Sequence, residues 1–136
     1  MKPGEPLFDF YADVMETSLS RFGVSVGGKE VYPWLEGLFT EFQTTGAKRS
    51  SRWLRERLAL EYKCVGEFPN WLEPDSDPWP FYDGRPMVFI GQLPLIENQT
   101  TRDHLIWDAV VYVFGARRLT EHGYEVVYKQ ILQSKG

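Results

Sequence analysis

The sequence has 136 residues, a net charge of −4 and a single cysteine, Cys64. This length predicts one domain, residues 1–136, and a lone cysteine excludes an internal disulfide. An acidic composition argues against DNA or RNA as a partner, and the lack of a long apolar run argues against a membrane partner. The N-terminus lacks the apolar region of a signal peptide, so we expect a cytoplasmic protein.

The charge is spread unevenly along the chain. Residues 1–46 hold three basic and seven acidic groups, residues 47–66 hold six and two, and residues 67–85 hold one and five. The chain therefore has one basic segment between two acidic ones.

Residues 6–22 predict the first helix, because apolar residues recur at spacings of three and four. One face of this helix carries Phe8, Tyr11, Ala12, Met15, Leu19 and Phe22, and the opposite face carries Asp9, Asp13, Glu16 and Ser20. Pro6 suits the first turn and Gly23 suits the C-terminal end.

A second helix is predicted from Pro33 to residue 43. Its apolar face holds Leu35, Leu38, Phe39 and Phe42. The intervening segment contains alternating valines and a glycine pair, which fits either a small hairpin or a connector.

The segment after residue 50 changes its period. Trp53 and Leu54 fit a short helical turn capped by a serine, whereas the residues from Leu58 onward alternate with a period of two. This alternation predicts a half-buried strand with Leu60, Tyr62 and Cys64 on the same side as Leu58.

Residues 66–86 predict an ordered loop. Five of the nine prolines fall here, and at that density we expect no regular element. The same stretch is rich in Trp, Phe and Tyr, unlike a disordered linker.

Three strands are predicted next, at residues 86–96, 104–115 and 124–132, with residues 117–123 as a hairpin loop. Two N-terminal helices (residues 1–46) packed on a mainly antiparallel sheet of about four strands (residues 47–136) make an α+β fold. Gly84 suits a turn that needs positive φ, and Gly91 suits either a bulge or a close approach of backbone. The amide of Gln92 suits hydrogen bonding to the proline-rich loop.

No pattern for chemistry emerges. The two histidines lack metal-ligand spacing, no phosphate-binding loop is present, and Cys64 falls on an apolar strand where thiols are usually inert. We therefore predict no catalytic residues, no metal and no cofactor.

Two charged segments leave alternatives open. The acidic loop residues are either solvated or part of an acidic, aromatic contact surface for a basic partner. The basic segment around Trp53 either touches nucleic acid or forms a solvated helix face in which Arg52 and Arg55 pair with Glu56, and the acidic whole favours the second interpretation.

Residues 66–93, "GEFPNWLEPDSDPWPFYDGRPMVFIGQL", resemble the YwqG-like family of bacterial domains of unknown function. The resemblance rests on the order of Pro69 and Trp71, Trp79-Pro80, Gly84, Pro86-Met87 and the strand from Phe89 to Leu93. It covers roughly the C-terminal half of the chain. The family includes small proteins encoded beside bacterial toxins, which implies an immunity role and transfers no catalytic residue.

The resulting hypothesis is a non-enzymatic bacterial immunity protein that neutralises a cognate toxin with a basic surface by occluding it. The candidate contacts are Trp71, Glu73, Asp75, Asp77, Trp79 and Asp83. The alternative is a small-ligand or peptide-binding module with an aromatic pocket, and an enzyme using Cys64 ranks third. Either a monomer or a homodimer formed through an exposed edge strand fits the sequence.

Overall fold

The computed structural model describes residue 2, residues 4–95 and residues 109–134. The element order is α1 (Pro6–Phe22), α2 (Val31–Thr44), α3 (Ser51–Ala59), β1 (Phe81–Tyr82), β2 (Arg85–Pro86), β3 (Val88–Leu95), β4 (Ala109–Thr120) and β5 (Gly123–Ser134). This order confirms the α+β class. None of the described helices is long and apolar enough to cross a membrane.

The first helix is confirmed, but the core uses a different side of it from the one predicted. The buried residues of α1 are Phe10, Val14, Thr17 and Ser18, whereas Met15 and Leu19 are exposed. Ser18 can be buried because its hydroxyl hydrogen-bonds the Tyr62 hydroxyl at 2.6 Å. A buried hydrogen-bonded serine thus takes a position that hydropathy assigns to solvent.

The second helix is confirmed and begins at Val31, two residues before Pro33. The valine-rich segment before it is a connector without strands, and its Val24 and Val26 are buried. The backbone carbonyl of Ser25 accepts a hydrogen bond from the Trp79 amide at 2.8 Å, which ties this connector to the proline-rich loop.

The strand predicted from Leu58 is wrong, because helix α3 runs through to Ala59. Leu54 and Leu58, four residues apart, are its buried residues, and Leu60 is 65% exposed. Cys64 makes only an isolated parallel bridge with Phe89. The helical part therefore contains three helices and extends beyond residue 46.

Among the described residues the main sheet has three strands, in the order β3-β4-β5 and all antiparallel, where about four were predicted. The register shifts between Phe89 and Gly91, which agrees with the bulge, one of the two roles predicted for Gly91. The last hairpin loop is shorter than predicted, because Thr120 pairs with Gly123 and leaves only two residues between the strands. Residues 104–108 of the strand predicted at 104–115, and residue 96 of the strand predicted at 86–96, lie outside the described residues.

The proline-rich loop packs between the helices and the sheet. The prediction of no regular element in this loop is wrong, because the short ribbon β1–β2 forms within it where only Pro86 falls in a strand. The turn of the ribbon places Asp83 and Gly84 at positive φ, as predicted for Gly84. The Trp79 ring lies 5.5 Å from Tyr62 on the helical side and 5.0 Å from Phe114 of the sheet, measured between centroids. The loop therefore forms a middle layer of the core, and helices and sheet are joined through it.

Candidate interaction surfaces

The two tryptophans among the predicted contact residues face inward. Trp79 is 2% exposed, and its indole N–H donates to the Met87 carbonyl at 2.8 Å. Trp71 is half-buried, with its ring 4.4 Å from that of Tyr112. Trp79 is thus a core residue and does not belong to a contact surface, because burial leaves no face of its ring for a partner.

The four predicted carboxylates differ in their surroundings. Glu73, Asp75 and Asp83 are exposed, whereas Asp77 is half-buried and its Oδ2 accepts a hydrogen bond from Gln133 at 3.0 Å. Asp75 has a φ of 67°, a left-handed conformation that non-glycine residues adopt rarely. Glu73 and Asp75 therefore form an exposed acidic tip, while Asp77 is used to hold the loop.

Gln133 is the residue that fixes this acidic tip, and sequence analysis missed it. Its side chain is buried at 4% exposure; Nε2 donates to the Glu73 carbonyl at 3.0 Å, and Oε1 accepts from the Glu73 amide at 2.9 Å. Alternation along β5 places Gln133 on the same face as the buried Ile131. A polar residue at an inward position was the only signal that could have identified it.

Two further sheet side chains hold the start of the loop. The predicted role of Gln92 is confirmed, because its Oε1 accepts from the Asn70 amide at 2.7 Å and its Nε2 donates to the Asn70 carbonyl at 3.4 Å. The Tyr112 hydroxyl accepts from the Leu72 amide at 2.7 Å and donates to the Asn70 carbonyl at 3.1 Å. The proline-rich loop forms few backbone hydrogen bonds within itself, so its backbone groups bind these side chains of the sheet instead.

The outward face of the three-stranded sheet carries exposed apolar side chains. They come from all three strands: Ile90, Leu93, Leu95, Leu119, Tyr124, Val126, Tyr128 and Leu132. Gly115 lies beneath this face, and a Cβ at Gly115 would come within 2.8 Å of Ile90 Cδ1. Large exposed apolar patches are typical of surfaces that bind a partner, so this face is a candidate interaction surface.

The basic segment lies in α3 and just before it. Arg52 and Arg55 are exposed, and Arg52 approaches Glu56 at 3.7 Å, as predicted for a solvated helix face. Arg57 lies on another side of α3, where its Nε donates to Glu41 Oε2 at 2.8 Å.

A cleft of about 660 Å³ separates α1 from this basic segment. Its walls carry Asp9, Asp13 and Glu16 on one side and Lys48, Arg49 and Arg55 on the other, and its lining includes Phe10, Phe39 and Phe42. Ser50 Oγ donates to Asp13 Oδ2 at 2.7 Å and so joins the two walls. The basic segment therefore shares its surface with acidic groups.

Two observations concern the thiol and the metal-ligand residue types. Burial raises the pKa of the Cys64 thiol, which favours the unreactive protonated form. Across residues 4–95 and 109–134, no three His, Cys, Asp or Glu side chains are close enough together to hold a metal ion.

Comparison with known proteins finds no match: no family model matches the chain, and no curated protein or solved structure is significantly similar to it. The resemblance of residues 66–93 to the YwqG-like family therefore stays a prediction.

Proposed function

We propose that this chain is a non-enzymatic protein-binding protein of the immunity type, which neutralises a cognate toxin by covering a basic face of it. The observation that carries the proposal is the acidic tip formed by Glu73 and Asp75. Both side chains are exposed on a loop whose backbone is held by Gln133, so the tip is presented in one fixed conformation.

Rigidity favours binding because an ordered loop loses little conformational entropy when a partner docks. The hydrogen bonds from Gln92, Tyr112 and Gln133 fix three successive parts of the loop. The left-handed backbone conformation of Asp75 costs free energy, and it persists because the surrounding contacts hold it in place. Such a loop is well suited to a binding surface on a stable scaffold.

Charge supports a basic partner. Residues 67–85 hold five acidic groups and one basic group, in a chain with a net charge of −4. Glu67 and Asp83 are also exposed. Complementary charge of this kind speeds association and selects against acidic partners.

The experiment starts with co-purification of the tagged full chain from its native host, to isolate a stoichiometric basic partner. The affinity for that partner is then measured for Glu73→Lys/Asp75→Lys. Asp77 is left unchanged in this variant because it binds Gln133. We expect affinity to fall by more than about tenfold, with the larger part of the loss in the association rate at low salt.

The control variant is Glu36→Lys/Glu121→Lys, which makes the same charge change at two exposed positions outside the tip and outside the cleft. Equal loss of affinity in both double variants would show a general charge effect and would contradict the assignment of the tip. If the partner proves to be a substrate that this chain modifies, the immunity role itself is contradicted.

A second candidate is a small-ligand or peptide-binding module, supported by the cleft beside α1. Acidic and basic walls over aromatic residues fit a zwitterionic ligand such as an amino acid or a short peptide. Thermal-shift measurements with a panel of amino acids and dipeptides test this candidate. Stabilisation that is lost in Asp9→Asn and kept in Glu36→Gln would favour it over the immunity role.

A further inference from the structure

Strands β4 and β5 extend past the end of β3, toward the turn that joins them. Pairing between β3 and β4 ends at Val88 and Gly115, whereas β4 and β5 remain paired to their shared turn. We call the extension the arm, and it consists of residues 116–120 and 123–127. Within the described residues it is a two-stranded ribbon, a form that is only marginally stable when nothing else pairs with it.

The free edge of β5 lacks most of the usual protections against pairing. The twelve-residue register with β4 contains no shift, and the strand contains no proline. Edge strands are usually protected by a bulge, a proline, a covering segment or charged side chains, and of these β5 has only the charges of Glu125 and Lys129. Over residues 4–95 and 109–134, no strand pairs with the outer side of β5.

The backbone of β5 alternates between β4 and the free edge. Thr120 and Gly123 flank the two-residue loop and form the first pair, which exchanges backbone hydrogen bonds in hairpins of this type. Odd-numbered residues of β5 therefore bond to β4. The N–H and C=O groups of Tyr124, Val126 and Tyr128 are directed to the free edge.

We propose that two copies of this chain pair antiparallel through β5, about a twofold axis at Val127. In this register Val126 forms a hydrogen-bonded pair with the partner subunit's Tyr128. Glu125 lies opposite the partner subunit's Lys129, and the symmetry repeats both pairs. The two arms become one four-stranded antiparallel sheet, and the two three-stranded sheets become one of six strands.

Charge selects this register over its neighbours. A shift by two residues places Glu125 opposite an apolar residue, either Val127 or the Ile131 position, and leaves Lys129 without an acidic partner. Opposite charges directly across a strand pair are stabilising, and like charges are destabilising. Within each copy, Glu125 already pairs with Arg118 on β4. In the dimer, the partner subunit's Lys129 is a second cation beside the same Glu125 carboxylate, at the centre of the arm.

The pairing also joins apolar surface. Tyr124, Val126 and Tyr128 belong to the exposed outward face of the sheet and are 51–70% exposed. Side chains at facing positions of an antiparallel pair contact one another, so each copy covers part of this face on the other. This gain adds to the backbone hydrogen bonds and explains the apolar residues at the end of the arm.

The first experiment measures the oligomeric state of the full chain by sedimentation over a wide range of concentrations. We expect a dimer, and we expect Lys129→Glu or Glu125→Lys alone to weaken it by roughly tenfold or more, because two like-charge pairs replace two attractive ones. An equal mixture of the two variants restores both opposite-charge pairs and should restore the dimer. Circular dichroism checks that each variant remains folded.

The second experiment tests the register by oxidative crosslinking in a Cys64→Ser background. Val127→Cys places two thiols across the twofold axis at a non-hydrogen-bonded pair, about 4.5 Å apart at Cα, which suits a disulfide. Tyr128→Cys is the control and should crosslink far less. A monomer at every concentration would overturn the proposal. So would a dimer insensitive to Lys129→Glu that crosslinks through Leu93→Cys, since that dimer would join the two faces instead of the two edges.

Discussion

Gln133, near the end of the last strand, holds both backbone groups of Glu73, sixty positions earlier in the chain. A third hydrogen bond runs from the same amide to the Asp77 carboxylate. One buried side chain therefore fixes the part of the loop that carries the acidic tip. Both the stability of the protein and the presentation of the tip should depend on it.

Replacing Gln133 tests this dependence. Gln133→Ala removes three hydrogen bonds from a buried site, and we expect the free energy of unfolding to fall by about 2 kcal/mol. Urea denaturation followed by tryptophan fluorescence measures the change. Gln130→Ala is the matched control, because Gln130 is exposed on the same strand, and its effect should stay within about 0.5 kcal/mol. Equal effects of the two substitutions would contradict the role of Gln133.

Because the Tyr62 hydroxyl is buried, we expect the protein to lose stability at alkaline pH. Burial raises the pKa of this hydroxyl well above the usual value, and the hydrogen bond with Ser18 offsets only part of that rise. The folded state therefore keeps the proton after the unfolded chain has lost it, so stability is full below about pH 10 and falls as the pH rises further. Tyr62→Phe should reduce this fall, measured by urea midpoints from neutral pH to pH 11.

The matched control for Tyr62 is Tyr128→Phe, on the exposed outward face of the sheet. It should leave the alkaline change in the urea midpoint as it is in the unaltered protein. An unchanged alkaline loss in Tyr62→Phe would mean that other groups cause it.

Trp79 should couple the helices to the sheet. Trp79→Phe removes its hydrogen bond to Met87 and leaves a cavity between Tyr62 and Phe114, so we expect a loss of about 2 kcal/mol in the free energy of unfolding. Hydrogen exchange should accelerate in α1 and in β4 together. Phe68→Leu, at a more exposed position beside Trp79, should cost less than half as much. A change confined to the loop would contradict the coupling.

Arg57 should contribute to stability at neutral pH more than at acid pH. It joins α2 to α3 through Glu41 and lies 3.4 Å from Glu61, and its hydrogen bond lowers the pKa of Glu41. A lowered carboxyl pKa gives stability that is present at neutral pH and is lost as the pH falls through the folded-state pKa. Arg57→Met should lower the free energy of unfolding by less than about 1 kcal/mol at neutral pH, because the pair is partly solvated.

The control for Arg57 is Arg52→Met, whose pair with Glu56 is almost fully exposed. It should have no measurable effect on urea denaturation at either pH. A loss in Arg57→Met that persists at acid pH would point to packing of the side chain instead of the ion pair.

Features that depend on a few neighbouring residues were predicted correctly from the sequence. Pro6 and Gly23 mark the ends of α1, the Asp83-Gly84 turn needs positive φ, and Gly91 lies at the bulge, all as expected. The error after residue 50 has a simple cause. Leu54, Leu58 and Tyr62 are four residues apart, a spacing that places them on one face of a helix and equally on one face of a strand.

The candidate site was predicted in part for a related reason. The acids and tryptophans of the loop were identified, but composition does not show which way a side chain points. Trp79 lies inside because the sheet and the helices leave a space that its ring fills, and Gln133 acts on a segment that is distant in sequence.

The sequence by itself determined an acidic α+β chain, an ordered proline-rich loop, the hydrogen bonding of Gln92 to that loop, and a final antiparallel hairpin. Each of these follows from composition or from patterns within short segments of the chain. Only the tertiary structure decided which face of α1 is buried, that the loop is the middle layer of the core, and that β4 and β5 extend as an arm. These features depend on pairings between distant residues, such as Ser18 with Tyr62 and Val88 with Gly115, and no local pattern encodes such a pairing.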